Sequence, residues 1–187
     1  LAIKRDLSWS EEASLADVLK ASDQNYVTAH FGKGMGKEQM KTIGYDAHDE
    51  FDGRASNGNF HGDYVDLKSR RPLPADDPKR IYSLTARSVD FLGKHASKRP
   101  FLLMVSHYTV HVPHQATPAV IERYRKLPRG KYLTDADYLP PNQISQARKT
   151  SAWRLQYAAM IDEVDAGMGK MMEVLEKSGE LENTYVI

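Results

Sequence analysis

The spacing of apolar residues along this chain predicts helices and strands that follow one another in turn. Ser10 is a suitable N-cap for a first helix, with acidic residues after it that suit the helix dipole. The apolar stripe of this helix consists of Leu15, Val18 and Leu19. Residues 26–31 then alternate in the manner of a strand. Asp77 followed by Pro78 marks the start of a second helix, because proline suits the first helical position.

The most informative stretch is a continuous apolar run over residues 101–105. Such a run predicts a strand buried on both faces, which is typical of a parallel sheet covered by helices. Three histidines follow it directly: His107, His111 and His114. Ligands of open α/β sheets bind beyond the carboxyl ends of the strands, so these imidazoles are candidates for chemistry. The order of helix, strand, loop, helix and strand predicts βαβ units.

Two further helices are predicted in the second half of the chain. Thr117 followed by Pro118 starts a short helix, and a long helix begins at about Ser151. The long helix keeps an apolar face that we assign to the core: Tyr157, Met160, Ile161, Val164, Met168, Met171, Met172 and Leu175. Gly179 fits the position after its end, and residues 184–187 predict the start of another buried strand.

Two segments lack regular periodicity. Residues 41–75 predict a long functional loop that can contain one hairpin, and residues 127–146 predict a surface excursion. The acidic residues of the first loop do not have the ligand spacing of an EF-hand. Both loops are expected to contribute to specificity.

Composition excludes several classes of function. The formal net charge of +1 gives no electrostatic argument for binding nucleic acid or an acidic membrane surface. No apolar stretch is long enough to cross a bilayer. Without cysteine, these 187 residues contain neither a disulfide nor a thiolate nucleophile. The 41% hydrophobic content is sufficient for the core of a globular domain.

Three groups of residues are candidates for catalysis or ligand binding. Lys33 follows Gly32 at a strand end, where it can bind a phosphate or sulfate oxyanion or lie in solvent. His111 and His114 offer a pair of zinc ligands without a clear further set; alternatively, a histidine serves as a general acid or a cationic oxyanion contact. The carboxylates of the long helix are expected to be solvated on its polar face: Asp162, Glu163 and Asp165.

In their order along the chain, these features resemble the sulfatase family of the alkaline phosphatase superfamily. Residues 14–20 and 26–33 resemble the family's helix and strand that end in phenylalanine-glycine-lysine. Residues 100–118 resemble its strand ending in histidine-x-proline, with His111 and Pro113 in register. Residues 157–169 and 175–187 resemble the family's long helix and the strand after it.

The resemblance implies an α/β fold with a mixed, largely parallel sheet sandwiched between helices. It implies that residues 1–187 are the central part of a catalytic domain that hydrolyses sulfate esters of small molecules or glycans. Lys33 corresponds to the family lysine that contacts the sulfate and the nucleophile, and His111 to the histidine that contacts the sulfate and assists the leaving group. His114 is a further contact at the rim. A periplasmic or secreted location is also implied.

The chain departs from the family pattern in two ways. A tryptophan-histidine pair usually follows the lysine, but Gly34 and Met35 stand here. Either the chain belongs to a divergent subgroup, or another group such as His30 or His114 substitutes for the histidine. The formylglycine nucleophile and the Ca²⁺ ligands of the family have no counterpart in this sequence, and both are expected outside it, in a longer protein. A phosphodiesterase or phosphonate ester hydrolase of the same superfamily and a non-catalytic module for sulfated glycans are the alternatives.

Overall fold

The computed structural model describes residues 13–34, 43–49, 76–111, 114–127 and 147–187. The helices are α1 (Leu15–Ser22), α2 (Ile81–His95), α3 (Pro118–Arg125) and α4 (Ala147–Ser178). The strands are β1 (Val27–Gly32), β2 (Ala47–His48) and β3 (Phe101–Ser106). Short 3₁₀ turns, Pro78–Arg80 and Leu181–Asn183, precede α2 and follow α4. No helix among the described residues is long and apolar enough to cross a membrane.

The three strands form one parallel sheet in the order β2-β1-β3. In this register Ala29 lies between Ala47 on one side and Leu103 on the other. Helix α2 lies along the chain between the parallel neighbours β1 and β3, which gives the expected βαβ unit. Because all three strands run the same way, their carboxyl ends meet at one edge of the sheet.

Helices cover both faces of this sheet. On one face, Ala29 and Phe31 of β1 pack with Leu84 and Phe91 of α2 and Met171 of α4. On the other face, Leu102 of β3 packs against the cluster formed by Ala16 of α1 and Tyr45. The predicted helix-covered parallel sheet is therefore confirmed, and the methionines Met160 and Met171 lie in the core as expected.

Several boundaries differ from the prediction. The N-cap of α1 is Ser14, not Ser10, because the Ser14 hydroxyl accepts from the Asp17 amide while the Asp17 carboxylate accepts from the Ser14 amide. Leu15 and Val18 are more than half exposed, so the predicted stripe of α1 is not part of the described core. Helix α4 begins at Ala147 rather than at about Ser151.

The strands also depart from expectation in burial and extent. Strand β2 lies within the segment predicted as a loop. Strand β3 has β1 as its neighbour on one side only among the described residues, and Met104 is 45% exposed, so burial on both faces was wrong for this strand. Residues 184–187 form no strand and residues 185–187 are exposed, since no described strand lies beside them. Gly179 adopts a φ of 77° directly after α4, as predicted.

Candidate functional site

Lys33 lies at the edge where the carboxyl ends of β1 and β3 meet. Its amide donates to the Ser106 carbonyl oxygen at 2.7 Å. The preceding Gly32 has a φ of 99°, and a Cβ atom on it would lie 2.1 Å from the same carbonyl oxygen. Glycine is therefore required at this position both for its backbone angle and for the close approach of β3. The side chain of Lys33 is exposed, as an oxyanion contact must be before its ligand arrives.

A buried carboxylate, Asp49, fixes the same strand end from the side of β2. Its Oδ2 atom accepts from the Gly32 amide at 2.8 Å and lies 3.5 Å from the guanidinium of Arg80. Its Oδ1 atom is hydrogen-bonded to the guanidinium of Arg87. Only 4% of the surface of Asp49 is exposed. Its carboxylate links Gly32, the residue before Lys33, to the arginines in and just before α2. The residue pattern does not single out Asp49.

The three predicted histidines lie in or near the loop after β3, in different environments. The amide of His111 donates to the Tyr108 carbonyl at 3.0 Å, which closes a tight turn and leaves the histidine exposed. Both ring nitrogens of His107 are buried without a hydrogen-bond partner among the described residues. The ring of His114 stands 5.6 Å from that of Tyr157 on α4. Pro113, which is predicted to fix the backbone near His111, lies outside the described residues.

The environment lowers the pKa of two of these histidines. Burial lowers the pKa of His107 below 6.5. Burial also lowers the pKa of His114, and the positive charges of Lys79 and His111 lower it further. Since these charges act on one ring, His111 and His114 belong to the same electrostatic neighbourhood.

Lys79 is a further member of this neighbourhood that the sequence pattern does not indicate. It lies in the 3₁₀ turn before α2, has no exposed surface and adopts a φ of 56°. Lysine is seldom fully buried, and few residues other than glycine adopt such a φ. Burial and the positive charge of Lys33 lower the pKa of Lys79 to about 8. The site therefore combines two lysines, Lys33 and Lys79, with His111 and His114.

His30, the proposed substitute for the missing family histidine, faces the α1 side of the sheet. Its Nε2 atom lies 2.8 Å from the Ser106 hydroxyl, and its ring is 5.4 Å from that of Tyr45. Burial lowers its pKa as well. His30 is therefore engaged with the side chains next to the strand end, whereas His114 shares the neighbourhood of Lys79 and His111.

One of the three carboxylates of α4 is buried, which corrects the prediction that all three are solvated. Glu163 is 3% exposed. Its Oε1 atom accepts from the Thr117 amide at 2.8 Å, the Thr117 hydroxyl at 2.5 Å and the Tyr82 hydroxyl at 3.2 Å. These donors come from α2 and from the start of α3, so Glu163 joins three helices. Asp162, by contrast, pairs with Arg123 near the surface.

The described part of the site does not fit a metal ion. No group of three or more histidine, aspartate or glutamate side chains among the described residues is arranged to hold one. The groups that converge here are cationic or neutral, and the one buried carboxylate at the strand end, Asp49, is engaged by Arg80 and Arg87. These side chains suit an anion instead. The expectation that Ca²⁺ is bound by residues outside this chain stays a prediction.

Comparison with known proteins places this arrangement in a family. The Sulfatase family model matches residues 3–187. The crystal structure of Ps i-CgsB is similar with a TM-score of 0.59 at 17% identity, covering 91% of this chain and 38% of that protein. Its complex with k-i-k-neocarrahexaose gives a TM-score of 0.54 at 18% identity, with coverage of 85% and 36%.

A second solved protein, the proposed sulfatase yidJ from Bacteroides fragilis, is similar with a TM-score of 0.56 at 18% identity. The match covers 94% of this chain and 41% of yidJ. The chain thus spans about two fifths of the length of these structures and shares their fold. Since the family model covers nearly all of its residues, the chain belongs to the sulfatase family.

Proposed function

We propose that the protein to which this chain belongs hydrolyses sulfate esters, and that Lys33 and His111 contact the sulfate. Family membership supports the reaction class. The residue assignment rests on the position of Lys33. This lysine is exposed at the carboxyl end of the parallel sheet and lies next to the end of β3, the strand that leads to His111. This is the edge at which α/β sheets bind ligands.

The chemistry of ester hydrolysis needs the groups found here. Cleavage of the bond between sulfur and the ester oxygen leaves negative charge on the departing oxygen, while the sulfate oxygens carry charge throughout. A lysine ammonium is a compact positive charge that stabilises such oxygens. An exposed imidazole can donate a hydrogen bond or a proton to the leaving oxygen. Lys33 therefore serves as the oxyanion contact, and His111 as the contact near the leaving group.

The substrate class is proposed to be a sulfate ester of a glycan or a small molecule. One similar structure, Ps i-CgsB, was solved with an oligosaccharide, k-i-k-neocarrahexaose. His114 is half-buried and lies at the side of the site next to α4, where it can contact the rest of the substrate.

In this proposal the 187 residues are the central part of the catalytic domain. The nucleophile and the Ca²⁺ ligands come from parts of the protein outside these residues. The reaction is therefore tested with the protein expressed from its complete gene.

The test compares hydrolysis of 4-nitrophenyl sulfate and 4-nitrophenyl phosphate by the wild type and by Lys33→Ala and His111→Ala. We expect the sulfate to be preferred, and each substitution to lower kcat/KM for it by about 100-fold or more, as for the loss of one group that stabilises the transition state. Lys98→Ala removes an exposed lysine after α2 and is the control, with activity within about twofold of wild type.

Three outcomes would contradict the proposal. Preference for the phosphate ester would indicate a phosphoryl hydrolase of the same superfamily. Binding of sulfated glycans without any turnover would indicate a non-catalytic module. Full activity of both active-site variants would show that other residues contact the sulfate.

A further inference from the structure

Three side chains on one face of α4 hold the segment that contains His114. The ring of Tyr157 lies against that of His114, and the Met160 sulfur accepts from the Gln115 amide at 3.3 Å. Glu163 binds the amide and hydroxyl of Thr117. Residues 157, 160 and 163 are spaced by three, so they lie along one side of the helix. The segment between His114 and α3 is thus attached to α4 at three successive points.

Glu163 is the strongest of these attachments. Thr117 is the N-cap of α3, but its own side chain makes no capping hydrogen bond within the helix. Glu163 stabilises this end of α3 in another way, because its carboxylate, from α4, accepts from the amide and hydroxyl of the N-cap residue at the positive end of the helix. Tyr82 donates to the same oxygen, which connects the start of α2 to this point.

The burial of Glu163 is more than a helix cap requires. Its Oε2 atom is buried and has no hydrogen-bond partner among the described residues, while Oε1 accepts three hydrogen bonds. Leaving a buried carboxylate oxygen unpaired is unfavourable. An apolar side chain could join helices at this position without that penalty, so an acceptor at Oε1 is the property that distinguishes Glu163.

We propose that Glu163 is a positioning residue for the sulfatase reaction, which holds residues 114–117, here called the histidine loop, against α4 so that His114 keeps its place near Lys79 and His111. The inference rests on the proposed function. Glu163 acts through Thr117, three residues beyond His114, and touches neither the substrate nor the reacting atoms. Because Tyr82 shares the carboxylate oxygen, the start of α2, with Lys79 three residues before it, is held in register with the histidine loop.

The neighbouring Asp162 provides a matched control. It also joins α4 to α3, but at the far end of α3, where its carboxylate pairs with Arg123 and accepts from the Tyr124 hydroxyl at 3.1 Å. Loss of Asp162 therefore weakens the same helix contact without releasing the histidine loop. Glu163→Gln keeps an acceptor for Thr117 and Tyr82, and tests whether the acceptor rather than the charge is needed.

The experiment measures kcat and KM for 4-nitrophenyl sulfate, and inhibition by inorganic sulfate, in the protein expressed from its complete gene. Thermal unfolding of each variant is recorded, and the kinetics are measured well below the lowest Tm. We expect Glu163→Ala to lower kcat/KM by tenfold or more and to weaken inhibition by sulfate, whereas Asp162→Ala stays within about twofold of wild type. Glu163→Gln is expected to recover most of the activity.

The outcomes separate this inference from the proposed function. Equal kinetics for Glu163→Ala and Asp162→Ala, with wild-type turnover intact, would overturn the positioning role alone. A loss of activity in Glu163→Gln as severe as in Glu163→Ala would also overturn it, because the acceptor would then be insufficient. A wild-type protein without turnover of sulfate esters would overturn the proposed function and this inference together.

Discussion

The buried Lys79 should reduce the stability of the folded protein at neutral pH. Its pKa falls from 10.5 to about 8 on folding, because of burial and the charge of Lys33. In the unfolded chain the amine keeps its proton up to the higher value, so the unfolded state binds more protons between these two pH values. Stability therefore increases as the pH rises through this range, and the penalty is complete below pH 8.

The size of the effect follows from the two pKa values. A difference between 10.5 and about 8 corresponds to roughly 3 kcal/mol, at about 1.4 kcal/mol per pH unit. Lys79→Met keeps a long apolar side chain and removes the charge. We expect this variant to be more stable than wild type by up to about 3 kcal/mol at pH 7, with the difference shrinking towards pH 10.5.

Urea unfolding of the wild type and of Lys79→Met, followed by circular dichroism at pH 7, 8, 9 and 10, measures this difference. Tyrosines such as Tyr108, whose pKa is raised by burial, also affect stability at high pH. They do so in both proteins, so the difference between the two isolates Lys79. A constant difference across this pH range, or a variant less stable than wild type at pH 7, would refute the reasoning.

Two further predictions concern the strand end and the histidines. Gly32→Ala should destabilise the protein by at least about 2 kcal/mol, because a Cβ atom would meet the Ser106 oxygen in a left-handed backbone. Gly93→Ala is the control and should be neutral or stabilising, because the space around its Cβ is open. Urea unfolding compares the free energies of unfolding of the two variants. Since burial lowers the pKa of His107 and His114, the unfolded chain takes up protons first on acidification, and stability should fall below about pH 6.5. Urea midpoints that stay constant or rise from pH 7 to pH 5 would contradict this.

The local pattern of apolar residues predicts the elements that pack against one another along their whole length. Strands β1 and β3 and helices α2, α3 and α4 all occur within a few residues of their predicted places. The helices have enough turns for their period to be visible, β1 alternates, and β3 is marked by its continuous apolar run. Strand β2 was missed because its two residues are too few to show any period. Asp49, which follows β2 directly, was missed with it.

The candidate site depends more on tertiary contacts than on local pattern. The positions of Lys33 and His111 after β1 and β3 could be predicted because both strands are recognisable in the sequence. Their roles are implied by the resemblance to sulfatases and stay predictions. The burial of Lys79 and Glu163 could not be predicted, since each lies on a helix or turn where a charged residue is ordinarily solvated. Glu163 is buried only because Tyr82 and Thr117, 81 and 46 residues away along the chain, converge on it. No spacing within α4 indicates that contact.

The position of sulfate in the site tests the central claim most directly. The measurement is a crystal structure of the protein expressed from its complete gene, with inorganic sulfate bound. We predict a sulfate at the carboxyl edge of the sheet, with oxygens within about 2.7–3.2 Å of the Lys33 amine and of an imidazole nitrogen of His111. A sulfate bound by other residues, with Lys33 and His111 both directed away from it, would contradict the account.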